Sequence, residues 1–401
     1  MNNLISATGL QVQFRIRFDF RSNFYRVRFL FWLSFLIAPF SIFAKTPTTV
    51  SQSMEDLYFR IKAKKAETSF NQVFQNLRDK YGFNGTVLIT EKDHVIYKKA
   101  FGYADLQTKE PLTTGSVFQL ASVSKQFTAV AIMMIKERKV LSYEDPVTRF
   151  YPDFPYPEIT IRHLLTHRSG LPDYRWFCDP LWPDKDKPLS NQEMMKFFAQ
   201  HKPAPYFKAG THHAYSNTGY AVLAAIIEKL SGWSFSDFMQ EIVFKPLGMK
   251  NTSIYSKCSA ADPVGAVSGY ERNGSWKAPN DCFNGITGDK NVYSSVEDLY
   301  LWDQALYGDR LLKRNTLAEA FMPANPELKG WRNYGFGWRI NMSDPSKKIV
   351  YHSGWWRGFR TFFLRNTDDH SSIIILSNTV NYSLNSLGDL FTLVSTEDLS
   401  E

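Results

Sequence analysis

The chain has 401 residues, of which 44% are hydrophobic and 15% aromatic, so it can bury a large core in one large domain or two smaller ones. Its formal net charge of +8 depends largely on residues 1–44, which hold five Arg and one Asp; the remainder carries 42 Lys and Arg against 38 Asp and Glu. This composition excludes a largely disordered chain and gives no indication of nucleic acid as a partner.

Residues 1–44 predict an export signal or an N-terminal anchor. Five Arg residues precede an apolar run at 29–43, and a plausible cleavage site at Ala44 follows it. The run is interrupted by Ser and Pro and is shorter than the roughly 20 residues that span a bilayer, which favours a cleaved signal. We therefore expect a periplasmic or extracellular protein whose membrane association, if the segment is retained, occurs only through these residues.

The elements that follow alternate in type along the chain. A polar linker and a helix are expected within 45–82, then a hairpin with strands at 86–90 and 95–102, and a helix that ends near residue 139. Helices and loops dominate from 146 to 307, with helical patterns at 161–166, 192–200, 218–231, 234–243 and 295–306. Strands return at 334–341, 348–352, 359–365 and 371–378, before a last helix from 384 onward. A sheet with early and late strands must close around the intervening helices, which predicts an α/β sheet layer, an inserted all-helical lobe and a cleft between them.

Ser122 and Lys125 form an S-x-x-K motif at the predicted start of the helix after the hairpin. Three residues apart on a helix, the hydroxyl and the amine share one face and can exchange a proton. This arrangement suits a nucleophile with an adjacent base. By average residue usage, such a motif occurs by chance roughly once or twice in a chain of this length, so its context must decide.

A second candidate motif is Tyr215-x-Asn217, which we expect in a loop immediately before a helix. Beside an ammonium group the phenolate anion of Tyr215 would be favoured, so the phenol could move a proton. The amide of Asn217 can hold a substrate amide. The alternative for this stretch is a surface turn with an aromatic anchor.

The third motif is His352-x-Gly354, which we expect at the end of a strand. A glycine there would let a substrate backbone approach closely, and amide groups of such an edge can complete an oxyanion hole. The alternative is a histidine that only packs or caps.

In this order, the three motifs resemble those of the serine β-lactamase and penicillin-binding-protein superfamily. The Tyr-x-Asn form of the second motif resembles that of one branch of the superfamily. This branch contains class C β-lactamases, D-Ala-D-Ala carboxypeptidases, D-aminopeptidases and related esterases. Residues 159–172 and 334–338 add to the resemblance, which covers about 83–390. It implies a hydrolase domain at 83–395 with an antiparallel sheet flanked by helices, and a helical lobe at about 146–307.

The resemblance also implies roles for individual residues. Ser122 would be the nucleophile that forms an acyl-enzyme, and Lys125 would hold or accept its proton. Tyr215 would act with Lys125 as general base and return the proton to the leaving group, while Asn217 would position the substrate amide. The backbone amides of Ser122 and Trp355 would form the oxyanion hole. Which of Lys125 and Tyr215 is the base stays open, and no cofactor is expected.

The third motif departs from the β-lactamase pattern. In K-T-G enzymes a lysine helps to bind the substrate carboxylate, whereas His352 is mostly neutral near pH 7. Arg357 and Arg360 could supply a positive charge instead, although solvated surface arginines are the alternative. Trp355 and Trp356 could wall an acyl pocket, but core packing explains them equally well.

Other residues are expected to be uninvolved in chemistry. His163 and His167 have i, i+4 spacing, yet Leu164 stands where an H-E-x-x-H metalloprotease needs glutamate, so no metal site is predicted. His212 and His213 could line the rim of the Tyr215 loop. The three cysteines, at positions 178, 258 and 282, are too few for a disulfide scaffold, though one pair could form.

The sequence thus predicts an exported, cofactor-free serine hydrolase that acts through an acyl-enzyme on an amide or ester. A D-amino-acid peptide of peptidoglycan type is the favoured substrate, and the expected partner is a small molecule or peptide. The alternatives are a class C-like β-lactamase and a catalytically silent protein that binds cell-wall peptides.

Overall fold

The computed structural model describes residues 47–257, 265–271, 276–278, 281–328, 330, 333–344, 347–380 and 384, with side chains from residue 54. The predicted export segment, and the last helix expected from 384 onward, therefore fall outside the described residues. No helix in the described ranges has both the length and the hydropathy that a membrane crossing requires.

The first helix, α1, spans Pro47–Tyr81. It begins earlier than predicted and leaves almost no room for a polar linker after residue 44. Proline is well tolerated at the first position of a helix, where its missing N–H has no helical partner. Between Pro47 and Tyr81 no glycine or further proline interrupts the 35 residues.

The other helices follow in chain order. They are α2 (Lys125–Glu137), α3 (Ile161–Leu165), α4 (Tyr174–Cys178), α5 (Asn191–His201), α6 (Asn217–Ser231), α7 (Phe235–Met239), α8 (Lys245–Leu247), α9 (Val296–Ala305) and α10 (Arg314–Ala320). A π-helical turn, Gln240–Phe244, joins α7 to α8.

The strands are numbered in the same way. They are β1 (Gly85–Glu91), β2 (His94–Phe101), β3 (Tyr103–Asp105), β4 (Glu110–Pro111), β5 (Phe118–Gln119), β6 (Ser253–Ile254), β7 (Tyr270–Glu271), β8 (Trp276–Lys277), β9 (Val292–Ser294), β10 (Asn333–Tyr334), β11 (Arg339–Ile340), β12 (Ile349–Trp356), β13 (Phe359–Asn366) and β14 (Ser371–Ser377).

The main sheet is antiparallel and has the strand order β10-β11-β12-β13-β14-β1-β2. The early hairpin, β1 and β2, thus adds to the edge of the late strands through β14, as the sequence predicts. The single strand expected at 334–341 is instead two strands, because the chain reverses at Gly337, whose φ of 80° suits glycine.

Helix α1 packs on one face of this sheet. Phe70, Phe74 and Leu77 of α1 lie in a buried cluster with Val87 and Phe362 of the sheet. Since side chains alternate along a strand, the neighbours of Phe362 in β13, Thr361 and Phe363, point to the opposite face. The segment around Ser122 lies against that second face, where the Thr361 hydroxyl donates to the Leu120 carbonyl at 2.7 Å.

The inserted region is not all-helical as predicted. Its centre is α6, whose residues from Thr218 to Ile227 are buried. It also contributes β6 and β9 to a small sheet of order β5-β9-β6. This sheet pairs Phe118 with Ser294 and Gln119 with Tyr293, and so fixes the chain immediately before Ser122.

Candidate active site

Ser122 lies in a 3₁₀ turn, Ala121–Ser124, which leads from β5 into α2. The motif therefore opens a tight turn, and the α-helix itself begins at Lys125 rather than at Ser122. Ala121 has a φ of 49°, in the left-handed region that residues with a side chain rarely adopt. The amide of Leu120 donates to the Val292 carbonyl at 2.8 Å, which holds this sharp change of direction in place.

The Lys125 side chain is fully buried and joins three parts of the chain. Its Nζ lies 3.1 Å from Ser122 Oγ, 2.9 Å from Asn217 Oδ1 and 2.8 Å from the Asp289 carbonyl oxygen. A neutral amine has two N–H donors and one lone pair. The two carbonyl acceptors can take both donors, which leaves the lone pair facing the Ser122 hydroxyl.

Burial lowers the pKa of Lys125 to about 7, because the ammonium form loses its hydration. The carboxylate of Asp289 opposes this change, whereas the cations Arg175 and Arg339 add to it. A substantial fraction of Lys125 is then neutral near pH 7, as a general base requires.

Asn217 is the first residue of α6 and not part of a loop as predicted. Ser216 caps this helix through a hydrogen bond from the Gly219 amide to its hydroxyl, at 3.2 Å. This start places Asn217 Oδ1 against Lys125. The amide nitrogen of Asn217 is the group left to donate to a substrate.

Tyr215 lies in the loop immediately before α6, as predicted. Its ring centroid is 4.9 Å from Lys125 Nζ. The expected phenolate is wrong: burial raises the pKa of Tyr215 above its ordinary value, and a hydrogen bond with Ser122 and the charge of Arg339 oppose this only in part. Although 37% of the residue is exposed, its side chain forms a hydrogen bond with Ser122. The raised pKa favours the protonated phenol of Tyr215 at neutral pH.

His352 is fully buried within β12, not at the end of a strand. Its Nδ1 donates to the Ser353 carbonyl at 2.8 Å, so Nε2 accepts from the Tyr334 hydroxyl at 2.9 Å. Burial and the charges of Arg339 and Lys125 lower the pKa of His352 well below its ordinary value. The neutral imidazole thus packs beneath the site, 6.1 Å from the ring centroid of Tyr215.

Gly354 permits a close approach, but of the protein's own backbone and not of a substrate as predicted. A Cβ atom on Gly354 would lie 2.2 Å from Thr361 Oγ1, 2.4 Å from the Leu120 carbonyl oxygen and 3.0 Å from Ala121 Cβ. The absence of a side chain therefore lets β12 pass directly beside the turn that carries Ser122.

Trp355 follows on the same strand and is 65% exposed. Pairing of β12 with β11 covers only Val350 and Tyr351, so in the described part of the sheet one edge of β12 is unpaired from His352 to Trp356. This free edge lies beside the Ser122 turn, which β12 contacts. The position is compatible with the predicted oxyanion role of the Trp355 amide.

The other aromatic and basic residues of this stretch have separate partners. Arg357 forms an ion pair with Asp281. The guanidinium of Arg360 lies 6.0 Å from the ring centroid of Trp355. Trp356 is half-buried and has Lys290 Nζ 5.4 Å from its ring centroid, so it packs against the buried interior of the site.

One buried cluster beside the site was not predicted from the sequence, namely Tyr174, Asp289 and Lys290. Lys290 Nζ donates to the Tyr174 hydroxyl at 2.8 Å, and that hydroxyl donates to Asp289 Oδ2 at 3.0 Å. These bonds fix Asp289, whose backbone carbonyl accepts from Lys125. No spacing signal links Tyr174 in α4 to a segment more than 100 residues later, so only the fold brings them together.

The residues expected to be uninvolved have structural places. His163 belongs to a capping box with Thr160 at the start of α3, and His167 accepts a hydrogen bond from the Ser216 amide at 3.1 Å. Within the described ranges, no group of three or more His, Cys, Asp or Glu side chains is arranged to hold a metal ion. Cys178 and Cys282 are buried, whereas Cys258 lies outside the described residues, so a pairing stays a prediction.

The remaining candidates lie near the Tyr215 loop. His212 and His213 are both exposed; the His213 ring centroid is 6.0 Å from that of His167, and His212 contacts the Thr211 hydroxyl. A small cavity of ≈ 50 Å³ adjoins Tyr215 and Asn217. A larger surface depression, at Pro152–Pro155 and Lys196–Lys202, includes none of the motif residues in its lining.

Comparisons with known proteins agree with this architecture. The Beta-lactamase family model matches residues 70–389. Penicillin-binding protein 4* of Bacillus subtilis is 39% identical over 318 residues, which cover 76% of this chain and 70% of that protein. A D-aminopeptidase of Cereibacter sphaeroides is 27% identical over 306 residues, which cover 74% of this chain but only 57% of that protein.

Among solved structures, the octameric penicillin-binding protein homologue from Pyrococcus abyssi superposes with a TM-score of 0.70 at 26% identity. The match covers 82% of this chain and 77% of that one. The family match extends over the strands and helices that assemble Ser122, Lys125 and Tyr215. The chain therefore belongs to the β-lactamase family, within the serine β-lactamase and penicillin-binding-protein superfamily.

Proposed function

We propose that this protein is a serine hydrolase that acts on an amide or ester through an acyl-enzyme at Ser122. One observation carries the proposal. The buried Lys125 amine lies 3.1 Å from Ser122 Oγ while the two carbonyls of Asn217 and Asp289 take its other hydrogen-bonding positions. This geometry activates a nucleophile and has no evident use in a protein that only binds.

In the proposed acylation step, Ser122 Oγ attacks the substrate carbonyl carbon as its proton passes to Lys125 Nζ. The oxyanion is stabilised by the amides of Ser122 and Trp355. The C–N or C–O bond to the leaving group then breaks, and the leaving group takes up the proton. Tyr215, as a protonated phenol beside Ser122, passes its proton on and regains one from Lys125.

In the proposed deacylation step, a water molecule attacks the ester at Ser122 and gives its proton to neutral Lys125. The bond between the acyl carbon and Ser122 Oγ breaks, and the proton returns to Oγ. The products are a carboxylic acid and free enzyme, so no cofactor is consumed.

For the substrate we propose a D-amino-acid peptide of peptidoglycan type, which is cleaved after export of the protein. The arginine-rich and apolar sequence of residues 1–44 supports export. Similarity to a penicillin-binding protein and to a D-aminopeptidase supports the peptide class. The neutral, buried His352, in place of a lysine, argues against a dedicated β-lactamase.

Covalent labelling tests the nucleophile. We expect a fluorescent penicillin or an activated-ester probe to label the wild-type protein but not Ser122→Ala. The control is Ser142→Ala, which should be labelled like wild type, because Ser142 is exposed and is not one of the motif residues. Equal labelling of Ser122→Ala would refute the proposal. Nitrophenyl esters, D-Ala-D-Ala peptides and a chromogenic cephalosporin then rank the substrates, and rapid turnover of the cephalosporin would identify a β-lactamase instead.

A further inference from the structure

His167 follows helix α3 and lies against the loop that carries Tyr215. The amide of Ala214 donates to the His167 backbone carbonyl at 2.9 Å, and the amide of Ser216 donates to its Nδ1 at 3.1 Å. The residues on both sides of Tyr215 are therefore bonded to one histidine. The imidazole also contacts the phenol itself, since the two ring centroids are 4.3 Å apart.

The hydrogen bond from Ser216 requires a neutral His167. An imidazole accepts at Nδ1 only when that nitrogen carries no proton, so the proton of the ring is on Nε2. The surroundings favour this state, because burial and the charge of Lys125 lower the pKa of His167 well below its ordinary value. The ring can therefore hold the Ser216 amide throughout the range near pH 7 in which Lys125 becomes neutral.

Two features of His167 are unfavourable for stability. Its φ is 57°, in the left-handed region that residues with a side chain rarely adopt. The side chain is fully buried, yet its Nε2 has no hydrogen-bond partner within the part of the chain that the structure describes. An apolar side chain would fill the same space without this second cost. Such features are typical of functional sites, which points to a task for the ring.

Other histidines of the same region have different contacts. His163, four positions earlier, belongs to the capping box at the start of α3. His212 is exposed and contacts the Thr211 hydroxyl. Of these three histidines, His167 alone has hydrogen bonds, among the described residues, to the chain on both sides of Tyr215.

We propose that His167 is a positioning residue that holds the phenol of Tyr215 in its place beside Ser122. Tyr215 forms its hydrogen bond with Ser122 from a loop, and a loop residue keeps a precise orientation only when neighbouring groups hold it. The inference rests on the proposed acyl-enzyme function, in which Tyr215 passes a proton to the leaving group. His167 exchanges no proton in this role and acts only through Tyr215.

The test measures acylation by a phenyl ester, whose phenol leaving group has a pKa of about 10 and so needs a proton as it departs. We expect His167→Ala to slow phenol release at saturating ester by about 10- to 100-fold, since a displacement of about 1 Å is enough for such a loss. His167→Asn should stay within about threefold of wild type, because its side-chain oxygen can replace Nδ1 as acceptor and asparagine tolerates the left-handed region. The control, His212→Ala, should match wild type.

A double-mutant cycle separates positioning from a general loss of structure. In the Tyr215→Phe background, His167→Ala should slow acylation by less than about threefold, because the hydroxyl that it positions is already absent. An equal loss in both backgrounds, or a His167→Asn as slow as His167→Ala, would overturn the inference. A Tyr215→Phe that acylates as fast as wild type would overturn it as well.

Failure of the proposed function has a different outcome. If Ser122→Ala releases phenol at the wild-type rate, the acyl-enzyme at Ser122 is itself wrong. Denaturant unfolding of every variant shows that the rates are compared on folded protein.

Discussion

At the scale of single residues, the ionisation of Lys125 is the property that matters most. A lysine with the usual pKa near 10.4 would be an ammonium at neutral pH and could not accept the proton of Ser122. Burial removes the hydration of that ammonium and lowers the pKa to about 7. Because the pKa of Tyr215 shifts in the opposite direction, we propose different tasks for the two groups: Lys125 takes the proton, and Tyr215 donates one.

This assignment predicts how acylation depends on pH. The rate of ester acylation should rise with pH through about 7, because the active form of Lys125 is the neutral one. Lys125→Arg, which stays charged, should acylate about 10²- to 10⁴-fold more slowly and lose this rise. Stopped-flow measurement of nitrophenol release from about pH 5 to about pH 9, on both proteins, gives the acylation rate and its dependence on pH.

Tyr215→Phe is the matched control. It should slow the reaction but keep the rise near pH 7, since Lys125 remains. If the rise disappears in Tyr215→Phe and persists in Lys125→Arg, the tyrosine is the base.

Residue types and spacing predicted Ser122, Lys125, Tyr215 and Asn217, because all four belong to short motifs that resemble a family. The charge state of Tyr215 was not predictable in the same way. Proximity to a cation argues for a phenolate, and only the fold shows that burial outweighs it. The position of Arg339 was not predictable for a related reason, since only the fold brings its guanidinium to 5.4 Å from the ring centroid of Tyr215.

At the scale of elements, strand β12 positions the turn that carries Ser122. Its residue Gly354 passes beside Leu120 and Ala121, and the neighbouring strand holds Leu120 through Thr361. The sequence pattern ended this strand at His352 because glycine normally weakens strands. The strand continues to Trp356, since here the missing side chain is what allows the turn to pack against it.

Gly354→Ala should therefore disrupt the site. A Cβ 2.2 Å from Thr361 Oγ1 and 2.4 Å from the Leu120 carbonyl forces the strand and the turn apart. We expect a loss of about 1–3 kcal/mol in unfolding free energy, typical of overpacking. Acylation should slow about 10²-fold, because a displacement of about 1 Å is enough for such a loss.

The control for this substitution is Gly308→Ala, where a Cβ would have no heavy atom within 4 Å. Denaturant unfolding and ester acylation, measured on both variants, separate the two positions. Equal effects of the two alanines would contradict the proposed packing.

At the scale of the whole molecule, the two faces of the main sheet contact different parts of the chain. One face packs on α1 through Phe70, Phe74 and Leu77, and the other carries the turn with Ser122. The β-type sequence patterns of the early hairpin and of the late strands were enough to predict the sheet. The length of α1 was not predicted, because its first turns are polar and resemble a linker.

Phe74→Ala should accordingly affect stability and not turnover. The ring of Phe74 is fully buried against Phe83, Tyr97 and Phe101, so its loss should cost about 3–5 kcal/mol. The kcat/KM of the folded fraction should stay close to wild type, since none of the motif residues belongs to the buried cluster that the described residues form around Phe74. Leu57→Ala, at a position 49% exposed, should change stability by less than about 0.5 kcal/mol.

A loss of activity in Phe74→Ala with an unchanged free energy of unfolding would contradict the expectation that Phe74 affects stability and not turnover. Thermal or denaturant unfolding and ester turnover on the same preparations provide the comparison.

The hydrogen bond from Thr361 to Leu120 joins residues that are 241 positions apart. Ser122 and Lys125 are therefore synthesised before β12 and β13, the strands that hold their turn in place. A growing chain that still lacks β12 and β13 therefore carries Ser122 and Lys125 without the support that orients them. We therefore expect the proposed acylating ability only in a chain in which β12 and β13 have been made and have packed against the Ser122 turn.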